Sequence, residues 1–242
     1  RRDGTPLSPV ISWQDRRAHA WLNQFATQAQ AIHKTTGLYL SAHYGASKLR
    51  WCLDNLPAVG AAQRAGHLAC GPLAAFLVFR LTRERALLVD PANAARTLLW
   101  NLRTLAWDPW LLDLFGIPAG ALPVCVATRH AYGLLQGPAH AIPLQIVTGD
   151  QSAALFSDGQ PYAEVAYINV GTGAFVQRTS GHYPAHSRRL LSGVVLQDGA
   201  DLTYVLEGTV NGAGSALAWL QERQALPDLE QHMPQWLESR DE

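Results

Sequence analysis

The run Ile142-Pro143-Leu144-Gln145-Ile146-Val147, with Gly149-Asp150-Gln151-Ser152-Ala153-Ala154-Leu155-Phe156 close behind it, restricts the fold more than any other stretch of the chain. An apolar run, a glycine, and then small and apolar residues led by an acid and an amide predict a buried strand, a turn and a helix. That is the unit from which α/β domains are built. Asp150 then falls at the carboxyl end of a strand, beside helix N–H groups whose dipole favours the ionised carboxylate. At the mouth of an α/β crevice such a group is placed to orient or deprotonate a substrate hydroxyl. The same pattern also describes an ordinary helix start, where Asp serves as a cap. Local spacing leaves both readings open.

Downstream, Glu164-Val165-Ala166-Tyr167-Ile168-Asn169-Val170 and Ala174-Phe175-Val176-Gln177-Arg178-Thr179 alternate as strands do, and Gly171-Thr172-Gly173 between them predicts a hairpin. Glycines let such a turn adopt positive φ and let a phosphate approach its amides, although most turns of this composition bind nothing. Further on, a strand from Asp201 to Glu207 leads through Gly208-Thr209-Val210-Asn211-Gly212 into a helix that starts on Ala213-Gly214-Ser215-Ala216. Small residues there serve close helix packing or the close approach of a ligand.

At 242 residues the chain has room for one large domain or two smaller ones. Lys plus Arg and Asp plus Glu are equal at 19 each, so net charge offers nucleic acid or an anionic membrane no electrostatic footing. The longest strongly apolar stretch, residues 72–79, is too short to span a bilayer, and Arg1-Arg2-Asp3-Gly4 has no apolar signal segment behind it. Cys52, Cys70 and Cys125 are far apart and lack metal spacing, which predicts free buried thiols in a reducing compartment. A cytoplasmic protein with neither a nucleic-acid nor a membrane partner is the expectation.

Asp3-Gly4 with residues 7–13 predicts the turn and returning strand of a hairpin that ends on Trp13. Ala20, Trp21, Phe25, Ala29 and Ile32 predict a helix over residues 16–35, capped by Gly37. Residues 47–56 predict a second helix with Pro57 beyond it, and residues 72–81 a third, apolar nearly all round and therefore buried. Asp108 caps a short helix that begins with Pro109 and ends at residues 116–118. Residues 136–140 predict a surface loop and residues 231–238 a short helix. The turn-rich residues 157–161 mark a boundary between a first unit, 1–158, and a second, 159–242.

Taken in order, six motifs resemble the FGGY family of carbohydrate kinases, most closely its glycerol-kinase branch. They are Trp13-Gln14-Asp15-Arg16-Arg17, Lys48-Leu49-Arg50-Trp51, Asn93-Ala94-Ala95-Arg96-Thr97, Gly149-Asp150-Gln151 with Ala153-Ala154-Leu155-Phe156, Gly171-Thr172-Gly173 with Phe175, and Leu206-Glu207-Gly208. The likeness runs from Pro9 to Leu220. It implies an α/β, ribonuclease H-like fold of the actin-type ATPase kind, with two domains around a cleft. Family members are longer. They open on an Asp-x-Gly-Thr phosphate hairpin and carry an adenine-binding glycine-rich segment, and neither is found here. The resemblance therefore implies an internal fragment. Residues 1–158 would be the remainder of the N-terminal, substrate-side domain, and 159–242 the start of the C-terminal, nucleotide-side domain.

The resemblance also implies roles. Asp150 would be the general base and Gln151 its substrate-contacting neighbour. Trp13 would be a flat wall for the C–H face of a polyol, and Phe175 an apolar contact to its carbons. Gly171 and Thr172 would face the nucleotide phosphates, with Gly214 near the nucleotide. ATP and Mg2+ are the implied cofactors, and no protein side chain is assigned to metal. Two departures matter. His43 stands where glycerol kinases have a substrate-bonding tyrosine, which makes a polyol or sugar other than glycerol an alternative substrate. Ala218 stands where they commonly carry glutamine. Arg16, Arg17, Asn93, Arg96 and Thr97 read as scaffold, with Arg96 tying loops together. The implied activity is transfer of a phosphoryl group from MgATP to a hydroxyl of a polyol or sugar. The alternative is a truncated, non-catalytic product that binds a polyol or a partner. A homo-oligomer is compatible with either.

Overall fold

A computed structural model of the chain describes residues 1–137, 140–210, 212–224, 232–233 and 235. The helix expected over residues 231–238 lies largely outside the described residues, as do Pro138 and Ala139 of the expected loop and Asn211.

The first half is mainly helical. The single helix expected over residues 16–35 is broken into α1 (His19–Leu22), a 3-10 stretch (Asn23–Gln28) and α2 (Ala29–Thr36). Polar side chains compete for the backbone at the break: Gln24 Nε2 donates to the Trp21 carbonyl at 2.8 Å. The tighter coil also sets Trp21, Phe25 and Phe115 in edge-on contacts, Phe25 to Phe115 at 5.2 Å. α2 ends as expected on Gly37, whose φ is +73°. A Cβ there would lie 2.5 Å from the Ser192 carbonyl oxygen, so the position needs glycine for its dihedral and for the close approach of the chain.

α3 (Gly45–Asn55) matches its expected span to within two residues at its start. Pro57 both stops α3 and opens a helix that the sequence reading missed, α4 (Pro57–Arg64). α5 (Leu73–Leu81) forms where expected but is not buried all round. Ala75, Val78 and Phe79 face the interior, while Leu73, Phe76, Leu77 and Leu81 are exposed. A helix apolar on every side gives periodicity nothing with which to choose a face. α6 (Pro91–Ala95) is capped by the buried Asp90, whose carboxylate accepts from the Asn93 amide N–H at 3.1 Å and the Asn93 side chain at 2.7 Å. α7 (Pro109–Phe115) starts on its Asp108 cap and ends on Gly116 at φ +62°, as expected.

Four short strands punctuate this half. β1 (Leu88–Val89) pairs in parallel with β4 (Val124–Cys125), and β2 (Trp100–Asn101) pairs with β3 (Ala106–Trp107). Residues 7–13 pair with no strand among the described residues, so the expected strand into Trp13 is not formed. β5 (Arg129–Leu134) and β6 (Pro143–Ile146) make a two-stranded antiparallel ribbon. The strand expected before Gly149 is therefore present but not buried, since Pro143, Gln145 and Ile146 are exposed on a ribbon with a single neighbour.

The second half is a four-stranded antiparallel sheet in the order β7–β8–β10–β9. β7 (Tyr167–Val170) and β8 (Ala174–Gly181) form the expected hairpin, with β7 starting three residues late because 163–164 turn instead. β9 (Leu191–Asp198), β10 (Asp201–Val210) and α9 (Gly214–Gln224) follow. Two cores meet this sheet. Val89, Trp100 and Ala75 pack with Val194 and Tyr204, and the Tyr204 hydroxyl donates to the Leu102 carbonyl at 2.7 Å. α8 (Asp150–Ala154) is anchored by Leu155, which packs on Val195 and Val205. Burial of such a leucine contributes about 1.5–3 kcal/mol and pins the C-terminal end of α8 to the sheet.

Cys52, Cys70 and Cys125 are free but only partly buried, short of the full burial expected. Burial still pushes the Cys70 and Cys125 thiols up to about 12. No helix among the described residues is long and apolar enough to cross a membrane.

Candidate functional site

The turn that carries Trp13 is held by the Ser12 hydroxyl, which accepts from the Gln14 amide at 3.2 Å. Asp15 pairs with Arg17 at 2.6 Å, and the Arg17 guanidinium sits 4.5 Å over the Trp51 ring of α3. Arg17 is thus scaffold, as expected. The arrangement brings the Trp13 ring to 4.9 Å from the His43 ring, with 59% of the tryptophan surface still accessible. Trp13 and His43, thirty positions apart in sequence (13 and 43), form one aromatic corner.

His43 immediately precedes the Tyr44 N-cap of α3, and the two rings lie 5.1 Å apart. One turn into the helix, the buried Lys48 reaches back so that its Nζ donates to the Ala42 and His43 carbonyls. Lys48 was not among the site residues expected from sequence. Burial holds the His43 ring below its ordinary pKa, and the Lys48 and Arg96 charges act in the same direction. The ring is therefore neutral at pH 7 and is both a donor and an acceptor. Because the folded value is depressed, this ring contributes stability that is complete above 6.5 and is lost as pH falls below it. In the complete protein, the protection of α3 amides (intrinsic rate divided by observed rate at each pH) is expected to fall between about pH 7 and about pH 5. His43→Gln should abolish that fall, and equal pH dependence of protection in the two proteins would refute it.

Asp150 opens α8 as its first residue, with Gly149 as the N-cap. The carboxylate is exposed and accepts from the Gln151 amide at 2.7 Å. α8 has five residues, so the dipole expected to favour the ionised form is smaller than the strand–turn–helix pattern suggested. Two buried oxygens flank Asp150: Thr148 Oγ1 and Gln151 Oε1 have no hydrogen-bond partner among the described residues. Buried oxygens of this kind are costly unless donors meet them.

Arg96, at the end of α6, makes a bidentate ion pair with Glu207 of β10, at 3.1 and 2.6 Å. Gln177 Nε2 donates to the same carboxylate at 3.0 Å. Burial works against the Arg96 charge and Glu207 outweighs it, with further favourable contributions from Tyr44 and Asp150. The ion pair thus ties the end of α6 to β10 and β8 of the sheet. Sequence reasoning placed Arg96 in the scaffold without its partner. The available signal was Glu207 itself, a carboxylate directly after the apolar run Tyr204-Val205-Leu206 within one strand.

Phe175 lies two positions before Gln177 on β8 and opposite Thr209, as Gln177 lies opposite Glu207. Opposed residues of an antiparallel pair project to one face, so Phe175 shares the face that carries the Glu207–Arg96 pair. At the near end of that strand, the Gly171-Thr172-Gly173 turn docks on the start of α9. Gly214 N–H donates to the Gly171 carbonyl at 2.9 Å, and Ala213 N–H to the Thr172 carbonyl at 2.9 Å. A Cβ on Gly214 would lie 2.5 Å from Gly171 O, so small size at 214 is required by the packing of helix on hairpin. The structure thus brings Gly171, Thr172 and Gly214 together at one turn and Trp13 and His43 together at another. Among the described residues no group of three or more His, Cys, Asp or Glu side chains could hold a metal ion.

A profile described as the FGGY family of carbohydrate kinases, N-terminal domain, matches residues 1–157. The glycerol kinase of Polaromonas naphthalenivorans (strain CJ2) is 37% identical over 227 residues, which cover 92% of this chain and 46% of that protein. The glycerol kinase of Parabacteroides distasonis is 38% identical over 229 residues, covering 92% of this chain and 46% of that one. The chain spans about half the length of the curated relatives it matches. Among solved structures, Plasmodium falciparum glycerol kinase with ADP superposes with a TM-score of 0.88 at 28% identity, covering 94% of this chain and 47% of that chain. A xylulose kinase from Rhodospirillum rubrum gives a TM-score of 0.81 at 23% identity over 96% of this chain and 48% of that chain. The α/β, ribonuclease H-like fold of the actin-type ATPases is therefore that of this chain, over the part of those structures that it spans.

Proposed function

We propose a function from one premise: the chain belongs to the FGGY family of carbohydrate kinases. The complete protein phosphorylates a hydroxyl of a polyol or sugar, with MgATP as co-substrate supplying the phosphoryl group. The observation that carries the site is the grouping at the start of α8. An exposed carboxylate, Asp150, stands between two buried oxygens that lack partners, Thr148 Oγ1 and Gln151 Oε1. A polyhydroxylated substrate brings the donors that such a group needs.

Asp150 orients the acceptor hydroxyl and takes its proton as the substrate oxygen bonds to the γ-phosphorus and the bond from phosphorus to the ADP oxygen breaks. Gln151 accepts from a neighbouring hydroxyl. Trp13 covers the C–H face of the substrate, His43 bonds a further hydroxyl as a neutral ring, and Phe175 touches the carbons. Phosphoryl transfer through a loose transition state asks more of positioning than of base strength, which suits a carboxylate. Gly171, Thr172 and Gly214 admit the nucleotide phosphates. Mg2+ enters with the nucleotide. Residues 1–158 form the substrate side and 159–242 part of the nucleotide side, and closure between them excludes water. A cytoplasmic setting accompanies this reading.

A coupled ADP-release assay on the complete reading frame, with MgATP and a panel of polyols and ketoses, tests the proposal. Turnover on one substrate is expected, and its identity reports what His43 selects. Silence across the panel from a folded protein that still binds a polyol would replace the kinase reading with the non-catalytic one, which Ala218 favours.

A further inference from the structure

The aromatic corner of Trp13 and His43 is assembled from two turns that are far apart in sequence, and one buried cation reaches both. Lys48 is the fourth residue of α3. Its Nζ donates to the His43 carbonyl at 2.9 Å and also to the Ala42 carbonyl. Among the described residues no other group donates to either carbonyl. Within the same turn, the Ser41 hydroxyl accepts from the His43 amide at 3.2 Å, and the Ser41 carbonyl accepts from the Tyr44 amide at 3.3 Å.

The Trp13 turn is reached by charge. Burial holds the Lys48 amine below its ordinary pKa, and Asp15, two residues after Trp13, opposes this. Asp15 is itself held below the usual carboxylate range by its hydrogen bonds with Arg17, and Lys48 acts in the same direction. Arg17 rests over Trp51, three residues beyond Lys48 on the same helix. That helix is a firm support. The Ala46 amide donates to the Thr97 carbonyl at 2.7 Å, and Ala46 and Ser47 are fully buried. A lysine is a costly choice for a merely structural tether at this position. The start of a helix disfavours a cation, and burying an ammonium costs more than burying a neutral donor.

We propose that Lys48 is a positioning residue for acceptor selection: it holds His43 against Trp13, with their rings 4.9 Å apart, and so fixes where His43 meets a substrate hydroxyl. This rests on the proposed roles of Trp13 and His43 as the wall and the hydrogen-bonding partner of the acceptor. Misplacement by about 1 Å is enough to lose such an alignment.

The test has two parts, both on the complete protein. The first needs no turnover. The His43 ring protons carry a ring-current shift from Trp13, identified as the shift that Trp13→Leu removes, and measured near about pH 8 where the imidazole is neutral. Lys48→Met keeps the apolar stem and removes the donors and the charge. It is expected to lose most of that shift, whereas Lys48→Arg, which keeps donors and charge, retains it. Amide signals of β8 and β10 are expected to stay in place. Should Lys48→Met not fold, Lys48→Gln, a neutral donor of shorter reach, is expected to give a smaller change of the same sign.

The second part is steady-state kinetics. Lys48→Met is expected to raise KM for the best acceptor about tenfold, with kcat altered less than about threefold and KM for ATP unmoved. Acceptors that lack the hydroxyl bonded by His43 should be affected less. Added to His43→Ala, the substitution should raise KM no further, because the lysine acts through the histidine. Persistence of the Trp13-dependent shift in the Lys48 variants would overturn the positioning, whatever the activity. Loss of the shift with an unchanged acceptor KM, or an effect that adds to that of His43→Ala, would overturn the role in selection. If the parent turns over no polyol or ketose while Lys48→Met still loses the shift, the kinase proposal falls and the positioning stands.

Discussion

Asp150→Asn in the complete protein is expected to lower kcat for phosphoryl transfer by about 10²–10⁴-fold and to leave nucleotide affinity nearly unchanged. The substitution keeps the shape of the side chain and an oxygen that can accept from the Gln151 amide, now at 2.7 Å from the carboxylate, so α8 should start as before. What it removes is the capacity to take a proton, together with a negative charge that contributes to the environment of Arg96. On the proposed function, nucleotide affinity depends on other elements, the β7–β8 turn and the start of α9, which are joined to each other by backbone hydrogen bonds. The two readouts therefore separate. Turnover is followed by ADP release, and affinity by calorimetry with a non-hydrolysable ATP analogue. Unchanged turnover would remove Asp150 from the role of base. Equal loss of turnover and of affinity would point to a displaced helix instead.

Much of this arrangement was legible in the sequence because it rests on local rules. Gly37 and Gly116 end their helices, Asp108 caps its own, and the Gly171-Thr172-Gly173 turn joins two strands, as short-range patterns predict. The parts that failed depend on partners distant in sequence. Residues 7–13 alternate well enough to suggest a strand, but a strand exists only where a neighbour supplies its hydrogen bonds. α5 is apolar on every side, so only tertiary packing selects Ala75, Val78 and Phe79 as its inner face. Neither the Trp13–His43 corner nor the Arg96–Glu207 pair has a local signature, since each is made by tertiary contact between elements that say nothing of each other. The site residues came from the family resemblance, not from spacing, and the orphaned Gln151 Oε1 beside Asp150 became visible only in three dimensions.

Arg96→Ala is expected to destabilise the contact between α6 and the sheet by about 3–5 kcal/mol, the cost of leaving a buried charge without its partner. Glu207 retains 3% of its side-chain surface and would keep only Gln177 as a strong donor, at 3.0 Å, in place of three. The lower end of that range is the expectation, because 38% of the Arg96 side chain is accessible and water can follow its removal. A large chain does not unfold in one step, so the effect is best read locally, as amide exchange of β8 and β10 in the complete protein. A structural ion pair and a merely adjacent pair of charges predict different outcomes for the double substitution. If the pair acts as a unit, Arg96→Met with Glu207→Gln should be more stable than Arg96→Met alone, since the amide retains bonding to Gln177 without an uncompensated charge. If the two losses simply add, the two side chains contribute independently and the pair does not hold α6 to β10 as a unit.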